Sequence, residues 1–134
     1  MIQKKRKIKK KSLNPKKKRR VENFSPIEEK FNQHALKINI PLIRQYPVGN
    51  FFIDFAYIDN NGLGFKIAIE LDGQRFHSSY SQRQKDYKRE RFLLMEGWII
   101  IRFTGSEVNR NTAKCMNEII DLIDLYNRTL RVYK

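Results

Sequence analysis

Apolar residues recur at helical spacing near the start of the chain's folded part. Four of them fall on one helix face: Ile27, Phe31, Ala35 and Ile38. Ser25 stands immediately before Pro26, and Glu28 follows three residues after the serine, which is the signature of a capping box at a helix N-terminus. The pattern therefore predicts a first helix over residues 26–37, with one apolar face turned to a core.

Shorter runs of branched and aromatic residues follow this helix and are typical of strands. They lie at residues 42–46, 51–58 and 65–71. The sequence Asp-Asn-Asn-Gly at 59–62 is a strong turn signal between the second and third runs. These two runs are therefore predicted to form a β-hairpin, with a turn centred near Asn60 and Asn61.

The second half of the chain changes again from a helical to a strand pattern. Residues 80–96 are predicted to form a helix that packs through four side chains and ends at Gly97. Those side chains are Tyr87, Phe92, Leu94 and Met95. Residues 98–103 are too short and too rich in branched side chains for a helix, and predict a buried strand. A last helix begins at Asn111 or Thr112, which makes the order α-β-β-β-α-β-α.

Charge divides the chain into two unlike parts. The sequence has 28 Lys and Arg against 14 Asp and Glu, a formal net charge of +14. Twelve of the basic residues lie in residues 1–20, which contain no acid, so the remaining 114 residues are nearly neutral. We expect a disordered polybasic arm at residues 1–24 and one domain at residues 25–134, because dense like charge with little apolar surface does not fold alone.

The arm is expected to contact nucleic-acid phosphates, with a solvated, solubilising tail as the plainer alternative. The basic residues assigned to that contact are Lys4, Lys5, Arg6, Lys7, Lys16, Lys17, Lys18, Arg19 and Arg20. Residues 15–21, with the sequence PKKKRRV, also resemble a nuclear-import signal. We therefore expect a location in the nucleus if that signal is used, and in the cytoplasm or nucleoid otherwise.

Several classes of protein are excluded by what the chain lacks. No apolar run approaches the roughly 20 residues of a membrane-spanning helix, and no hydrophobic stretch follows the basic N-terminus as it does in a secretory signal. Cys115 is the one cysteine, which rules out an intrachain disulfide and a cysteine-based zinc site. We expect an intracellular protein in a reducing compartment, with no membrane partner.

Acidic residues interrupt both strands of the predicted hairpin. Asp54 lies in the first strand, and Glu70 and Asp72 lie at the end of the second. With the turn centred as above, Asp54 lies across from about Ala68 and one diagonal from Glu70, so the three acids converge. A single carboxylate on a strand is more often exposed or ion-paired. Several acids between apolar residues indicate a bound cation or a basic partner, and for a cation these oxygen ligands suit Mg²⁺ or Mn²⁺.

After the hairpin, three residues are candidates either for a catalytic role or for an ordinary structural one. His77 lies five residues after Asp72 and is a candidate general base near neutral pH, although a lone histidine is more often structural. Asp86 and Arg89 lie three residues apart near the start of the second predicted helix. The plainer interpretation of that pair is an exposed contact between helix neighbours.

These candidates belong to a longer set of residues that occurs in a fixed order. The set comprises Pro26-Ile27-Glu28, Gln45, Asp54-Phe55, Ile69-Glu70-Leu71-Asp72-Gly73, His77, Asp86, Arg89, Gly97-Trp98, Arg102-Phe103 and Glu107-Val108. It resembles the PD-(D/E)XK restriction-endonuclease-like superfamily, within the branch of very-short-patch-repair and EDxHD homing endonucleases. The resemblance covers about residues 25–125. It implies an α/β fold with a restriction-endonuclease-like core, a mixed central sheet flanked by helices, and a C-terminal helix.

The resemblance also implies roles for individual residues. Asp54 and Glu70 resemble the metal-binding acids, and the carbonyl of Leu71 would complete the protein ligands. His77 falls where patch-repair enzymes place a histidine that helps to activate water, and Asp86 falls where they place the carboxylate that orients it. Glu28 resembles an acid of the first helix that reaches the site through solvent, a role that competes with the capping box.

One position departs from the superfamily pattern. A lysine is expected two residues after Glu70, and this chain has Asp72 there. The patch-repair branch also lacks that lysine and has a histidine. Lys66, on the same face of the predicted strand, is one candidate to replace the lysine, and His77 is the preferred one.

The resemblance therefore implies a Mg²⁺- or Mn²⁺-dependent endodeoxyribonuclease that hydrolyses phosphodiester bonds in DNA, by nicking or by double-strand cleavage. Arg89 is expected to contact a phosphate of the DNA. A homodimer or larger complex is expected if both strands are cut. The alternative is a DNA-binding or assembly subunit that has the nuclease fold and little or no cleavage activity of its own.

Overall fold

The elements of the protein follow the predicted order with one addition. The structure, a computed structural model, describes residues 24–72 and 79–132. In chain order the elements are α1 (Pro26–Lys37), β1 (Ile43–Val48), β2 (Phe51–Ile58), β3 (Lys66–Asp72), α2 (Tyr80–Met95), β4 (Trp98–Thr104), α3 (Gly105–Arg110) and α4 (Thr112–Val132). The short helix α3 is the addition.

The strands of the described residues form one mixed sheet in the order β1-β2-β3-β4. β1, β2 and β3 are antiparallel neighbours, and β4 runs parallel to β3 after the connection through α2. One core cluster joins α1 and α4 to the sheet around Phe31, Phe55 and Met116. A second cluster joins α2 to the sheet around Leu93 and Trp98. The predicted α/β fold, with a mixed sheet flanked by helices, is confirmed.

The register of the β2–β3 hairpin differs from the predicted one. Ile69 pairs with Phe55, so the same register places Asp54 directly opposite Glu70. The predicted partner of Asp54, Ala68, lies two residues before Glu70 in β3 and pairs with Ala56. The predicted register was therefore wrong by two residues, and the correction brings the two acids closer together than the sequence pattern suggested.

The loop between β2 and β3 explains this shift. Asp59 is buried, and its carboxylate accepts hydrogen bonds of 2.9–3.2 Å from three backbone N–H groups. The donors are the amides of Asn61, Leu63 and Gly64. The backbone N–H of Asp59 also donates to the carbonyl of Phe65 across the loop, at 2.9 Å. The loop therefore centres near Gly62, whose φ of +80° suits glycine, and the pairing shifts with it.

β2 and β3 stop pairing near the two acids. Their ladder ends at Phe55 and Ile69, although β2 begins four residues before Phe55 and β3 continues for three residues after Ile69. Beyond that pair, the backbone N–H of Leu71 donates to Asp54 Oδ2 at 2.8 Å, so a side chain replaces a backbone partner. The two strands therefore separate at Asp54, and the space between them is open to side chains from other elements.

The helix N-termini match the sequence signals in two different ways. Ser25 Oγ accepts a hydrogen bond from the N–H of Glu28 at 3.2 Å, so the predicted N-cap of α1 is confirmed. A complete capping box lies at α3, where Thr104 and Glu107 exchange side-chain-to-backbone bonds of 3.2 and 2.8 Å. α3 has six residues, too few for a hydrophobic period, which is why the patterning missed it.

The buried side of α2 differs from the predicted one. Tyr87, Leu94 and Met95 are each more than half exposed, and the fully buried side chain is that of Leu93. Three of the four predicted contacts were therefore wrong. The fourth, Phe92, packs edge-on against Phe51, with ring centroids 5.5 Å apart. The reason is that polar residues occupy the positions next to Leu93 on its side of the helix, so the inward side has no apolar stripe.

The predicted arm lies almost wholly outside the described residues. Its last residue, Phe24, is described, and the guanidinium carbon of Arg44 lies 3.2 Å from the centre of its ring. The phosphate contacts assigned to the lysines and arginines of residues 4–20 stay predictions, as does the import signal at 15–21. In the described ranges, no helix is both long and apolar enough to cross a membrane.

Candidate active site

Asp54 and Glu70 face each other where β2 and β3 separate. Asp54 Oδ2 accepts the 2.8 Å hydrogen bond from Leu71 N, which turns its carboxyl group toward β3. Glu70 is 4% exposed, and its carboxyl group also shares a hydrogen bond with that of Asp54. The two carboxyl groups therefore lie close together between neighbouring strands, largely shielded from solvent.

The surroundings of the pair raise the proton affinity of both acids. Burial, and after it the negative charge of Asp54, raises the pKa of Glu70 to about 8. Burial also raises the pKa of Asp54, while the hydrogen bond from Leu71 N opposes that rise. Each cause is the expected one, because a low dielectric disfavours a carboxylate and a second carboxylate disfavours it further. Closely spaced oxygen donors of this kind fit a divalent cation such as Mg²⁺ or Mn²⁺.

Arg89 of α2 lies against this pair. Its Nη2 atom donates to Glu70 Oε1 at 2.7 Å and to the backbone carbonyl of Phe52 at 2.7 Å. Its guanidinium carbon lies 4.8 Å from the ring centre of Phe51. The sequence suggested an exposed contact between Arg89 and Asp86. The guanidinium of Arg89 instead lies mainly among Glu70, Phe52 and Phe51. Its predicted contact with a DNA phosphate stays a prediction.

Glu28 reaches the same region from α1. Its pKa is raised, first by burial and then by the charge of Asp54, so the two carboxyl groups influence each other. Gln45 Nε2 donates to Glu28 Oε2 at 3.3 Å. Glu28 therefore uses different atoms for the two contacts. Its backbone N–H donates to the N-cap residue Ser25, and its carboxylate accepts a bond from Gln45 of β1.

Gln45 is the site-region residue to which sequence reasoning assigned no role. In the β1–β2 register it lies opposite Asp54, between the pairs Arg44–Phe55 and Tyr46–Ile53. Its φ is +47°, a left-handed conformation that side chains seldom adopt inside a strand. Its signals in the sequence are its place in the ordered set that carries the family resemblance and a polar side chain within a short strand.

Of the two residues expected to activate water, the structure describes Asp86 and does not describe His77. Asp86 is partly buried in α2 and lies three residues before Arg89, so both lie on neighbouring positions of one helix side. Because Arg89 reaches Glu70, this side of α2 faces the acid pair. His77 lies in residues 73–78, outside the described residues, and its role stays a prediction.

The candidates for the missing lysine are narrowed by the structure. Lys66 begins β3, and its Nζ lies 4.6 Å from the ring centre of Trp98. Four residues of strand, about 13 Å, separate it from Glu70, so the suggestion that Lys66 serves the site is wrong. Asp72 contributes a small rise to the pKa of Asp54. Across residues 24–72 and 79–132, however, no three acids, histidines or cysteines are grouped to hold a metal, so the predicted three-acid cluster reduces to a pair.

Two curated bacterial proteins are similar to this chain. An uncharacterized protein named YcjD from Escherichia coli (strain K12) is 29% identical over 77 residues, which are 58% of this chain and 59% of that protein. An uncharacterized protein from Haemophilus influenzae is 33% identical over 87 residues, which are 65% of this chain and 50% of that protein. The chain thus spans between half and three-fifths of the length of these relatives.

A solved structure and a family model agree on the fold. The catalytic domain of the homing endonuclease I-Bth0305I aligns over 80% of this chain and 98% of its own length, with a TM-score of 0.52 and 17% identity, which shows a shared fold. The REase_MTES_1575 family model matches residues 28–123, which include Asp54, Glu70 and Arg89. With its mixed sheet, flanking helices and paired acids, this chain belongs to the restriction-endonuclease-like family REase_MTES_1575.

Proposed function

We propose that the protein is a metal-dependent endonuclease that hydrolyses phosphodiester bonds in DNA. The observation that carries this proposal is the pair of partly buried Asp54 and buried Glu70, placed opposite each other where β2 and β3 separate. Two acids in such surroundings are costly unless a proton, a base or a cation compensates them. Membership of a restriction-endonuclease-like family supports the reading in which that partner is a catalytic cation.

Asp54 and Glu70 would hold Mg²⁺ or Mn²⁺, with the carbonyl of Leu71 as a further ligand. When bound, the ion would polarise the scissile phosphate and stabilise the charge that develops on it. The chain's own part is to keep two carboxyl groups close together and away from water. The 2.8 Å hydrogen bond from Leu71 N fixes Asp54 Oδ2, and the other oxygen of Asp54 would bind the ion.

The attacking water would be activated by His77, which takes a proton, with Asp86 orienting the imidazole ring. Glu28 would act through solvent at the edge of the site. The partial burial of Asp86 and the raised pKa of Glu28 support these two assignments, since both indicate surroundings drier than an open surface.

A plasmid-nicking assay with Mg²⁺ tests the proposal. Asp54→Asn and Glu70→Gln remove one charge each with little change of shape, and both are expected to reduce nicking to the level of a protein-free control. Asp121→Asn, an exposed change on α4, is the matched control and should nick like the wild type. Removal of the ion by a chelator should stop the wild-type reaction. Equal nicking by the wild type and both site variants would contradict the proposal.

A DNA-binding or assembly subunit without cleavage is the second candidate. One observation favours it: within the described ranges, the acids form a pair, and no third ligand-type side chain completes a metal group. Calorimetry separates the two functions. An endonuclease of this kind is expected to bind Mn²⁺ in a way that Asp54→Asn weakens. DNA binding without any Mn²⁺ binding would favour the subunit.

A further inference from the structure

Arg89 joins three elements at the acid pair. It belongs to α2, and its Nη2 atom lies 2.7 Å from a carbonyl of β2 and 2.7 Å from a carboxylate oxygen of β3. These are the two strands that have stopped pairing with each other. Arg89 therefore bridges the opening between β2 and β3. A single nitrogen, Nη2, donates to both strands.

Two groups besides Glu70 also contact the guanidinium. The carbonyl of Phe52 accepts one hydrogen bond, and the ring of Phe51 lies 4.8 Å from the guanidinium carbon. The side chain of Arg89 is 24% exposed, so most of it is packed. The bond to Phe52 and the packing against Phe51 therefore add to the bond with Glu70 in fixing the planar guanidinium.

The contact uses one of the two oxygens of Glu70. Arg89 binds Oε1, and a 2.7 Å bond between a guanidinium and a carboxylate is short and strongly directional. The side chain of Glu70 is 6% exposed, so Arg89 is also the close positive charge that limits the effect of burial on it. Asp54 acts on the same carboxyl group of Glu70, through its charge and a side-chain hydrogen bond.

We propose that Arg89 is a positioning residue of the metal site: it fixes Glu70 through Oε1, so that the other carboxylate oxygen and Asp54 meet at one ion. This inference rests on the proposed function, because it takes Asp54 and Glu70 as the metal-binding acids. It assigns Arg89 to the orientation of a ligand rather than to contact with a DNA phosphate. Such outer partners commonly change metal affinity by about 10–100-fold when they are removed.

Mn²⁺ affinity of the full chain, measured by calorimetry without DNA, tests this proposal. Arg89→Met is expected to bind Mn²⁺ at least about 10-fold more weakly than the wild type. Arg89→Lys restores the charge without the planar donors, and its affinity should lie between the two. Arg91→Met is the matched control, an exposed arginine of the same helix, and should bind like the wild type. Thermal unfolding by circular dichroism shows which variants are folded.

The outcomes separate this proposal from the proposed function. Mn²⁺ binding by folded Arg89→Met at or above the wild-type affinity would overturn the positioning role alone. If Arg89→Met does not fold, wild-type affinity in Arg89→Lys would overturn it. Absence of Mn²⁺ binding in the wild type would overturn both proposals. Wild-type Mn²⁺ binding that depends on Arg89, without any nicking of DNA, would leave the positioning role in place and overturn the proposed nuclease.

Discussion

At the scale of single residues, the site depends on where individual polar atoms are held. Asp54 is fixed by a backbone N–H, Glu70 by a guanidinium and Glu28 by an amide. Each of these three donors binds one oxygen of the acid's carboxyl group. The amide belongs to Gln45, whose left-handed backbone at φ +47° costs energy that a glycine would not incur.

Replacing Gln45 by glycine is expected to separate backbone strain from function. Gln45→Gly removes the strained side chain and also the 3.3 Å bond to Glu28, so we expect a change in unfolding free energy within about 1 kcal/mol and a severalfold loss of nicking. Asn39→Gly is the control, because Asn39 has φ +57° after α1 and no bond to Glu28 is expected of it. Urea unfolding and the plasmid assay measure the two effects. Unchanged nicking in Gln45→Gly would show that Gln45 serves the backbone alone.

At the scale of elements, α2 combines a structural and a functional side. Leu93 is fully buried in the cluster that includes Trp98, Ala56 and Ala68, while Arg89 on the same side of the helix reaches Glu70. The small alanines opposite the helix let it approach the sheet closely. The burial of Leu93 and the bond from Arg89 to Glu70 therefore help to hold α2 beside the candidate active site.

Truncation of Leu93 tests the structural part of this helix. Leu93→Ala should reduce the free energy of unfolding by about 2–5 kcal/mol, because it removes a fully buried side chain and leaves a cavity. Met95→Ala is the matched control: Met95 is 87% exposed, and we expect a change within about 0.5 kcal/mol. Urea unfolding followed by tryptophan fluorescence measures both, since Trp98 lies in the same cluster. Similar effects of the two variants would contradict the packing described for α2.

At the scale of the whole molecule, charge and chemistry lie in different parts of the chain. The twelve basic residues of positions 1–20 precede the region matched by the family model, which begins at residue 28. The acid pair lies deep within that region. A basic segment outside the matched region suits long-range attraction to phosphates, whereas the acid pair suits a local reaction.

Deletion of residues 1–20 tests the role of the basic segment. If about six of its charges contact phosphates, DNA affinity of the full chain should fall roughly 10³-fold between 50 and 200 mM salt. The shortened chain should show a much flatter dependence and should keep its Mn²⁺ affinity, because the acid pair is untouched. Fluorescence anisotropy with a labelled duplex measures the slope. An unchanged slope would assign the segment to import or solubility.

The fold was predictable to the extent that its signals are local. The caps, turns and apolar periods of α1, the hairpin, β4 and α4 come from neighbouring residues, and the structure confirms these elements. Asp54 and Glu70 were identifiable because acids are unusual in apolar strands. Gln45 is among the residues that carry the family resemblance, but its contact with Glu28 and the contact between Arg89 and Glu70 were not identifiable from residue patterns, since each joins residues 17 or 19 positions apart that the fold brings together.

The sequence by itself determined the order of helices and strands, the presence of acids in the hairpin and the concentration of positive charge at one end. Each of these depends on residue type or on near neighbours. The tertiary structure decided the hairpin register, the inward side of α2 and the partner of Arg89. Loop geometry shifted the first by two residues. The inward side of α2 and the partner of Arg89 follow from packing. Only the folded sheet determines which side of the helix is buried and which acid lies within reach of an arginine on that side.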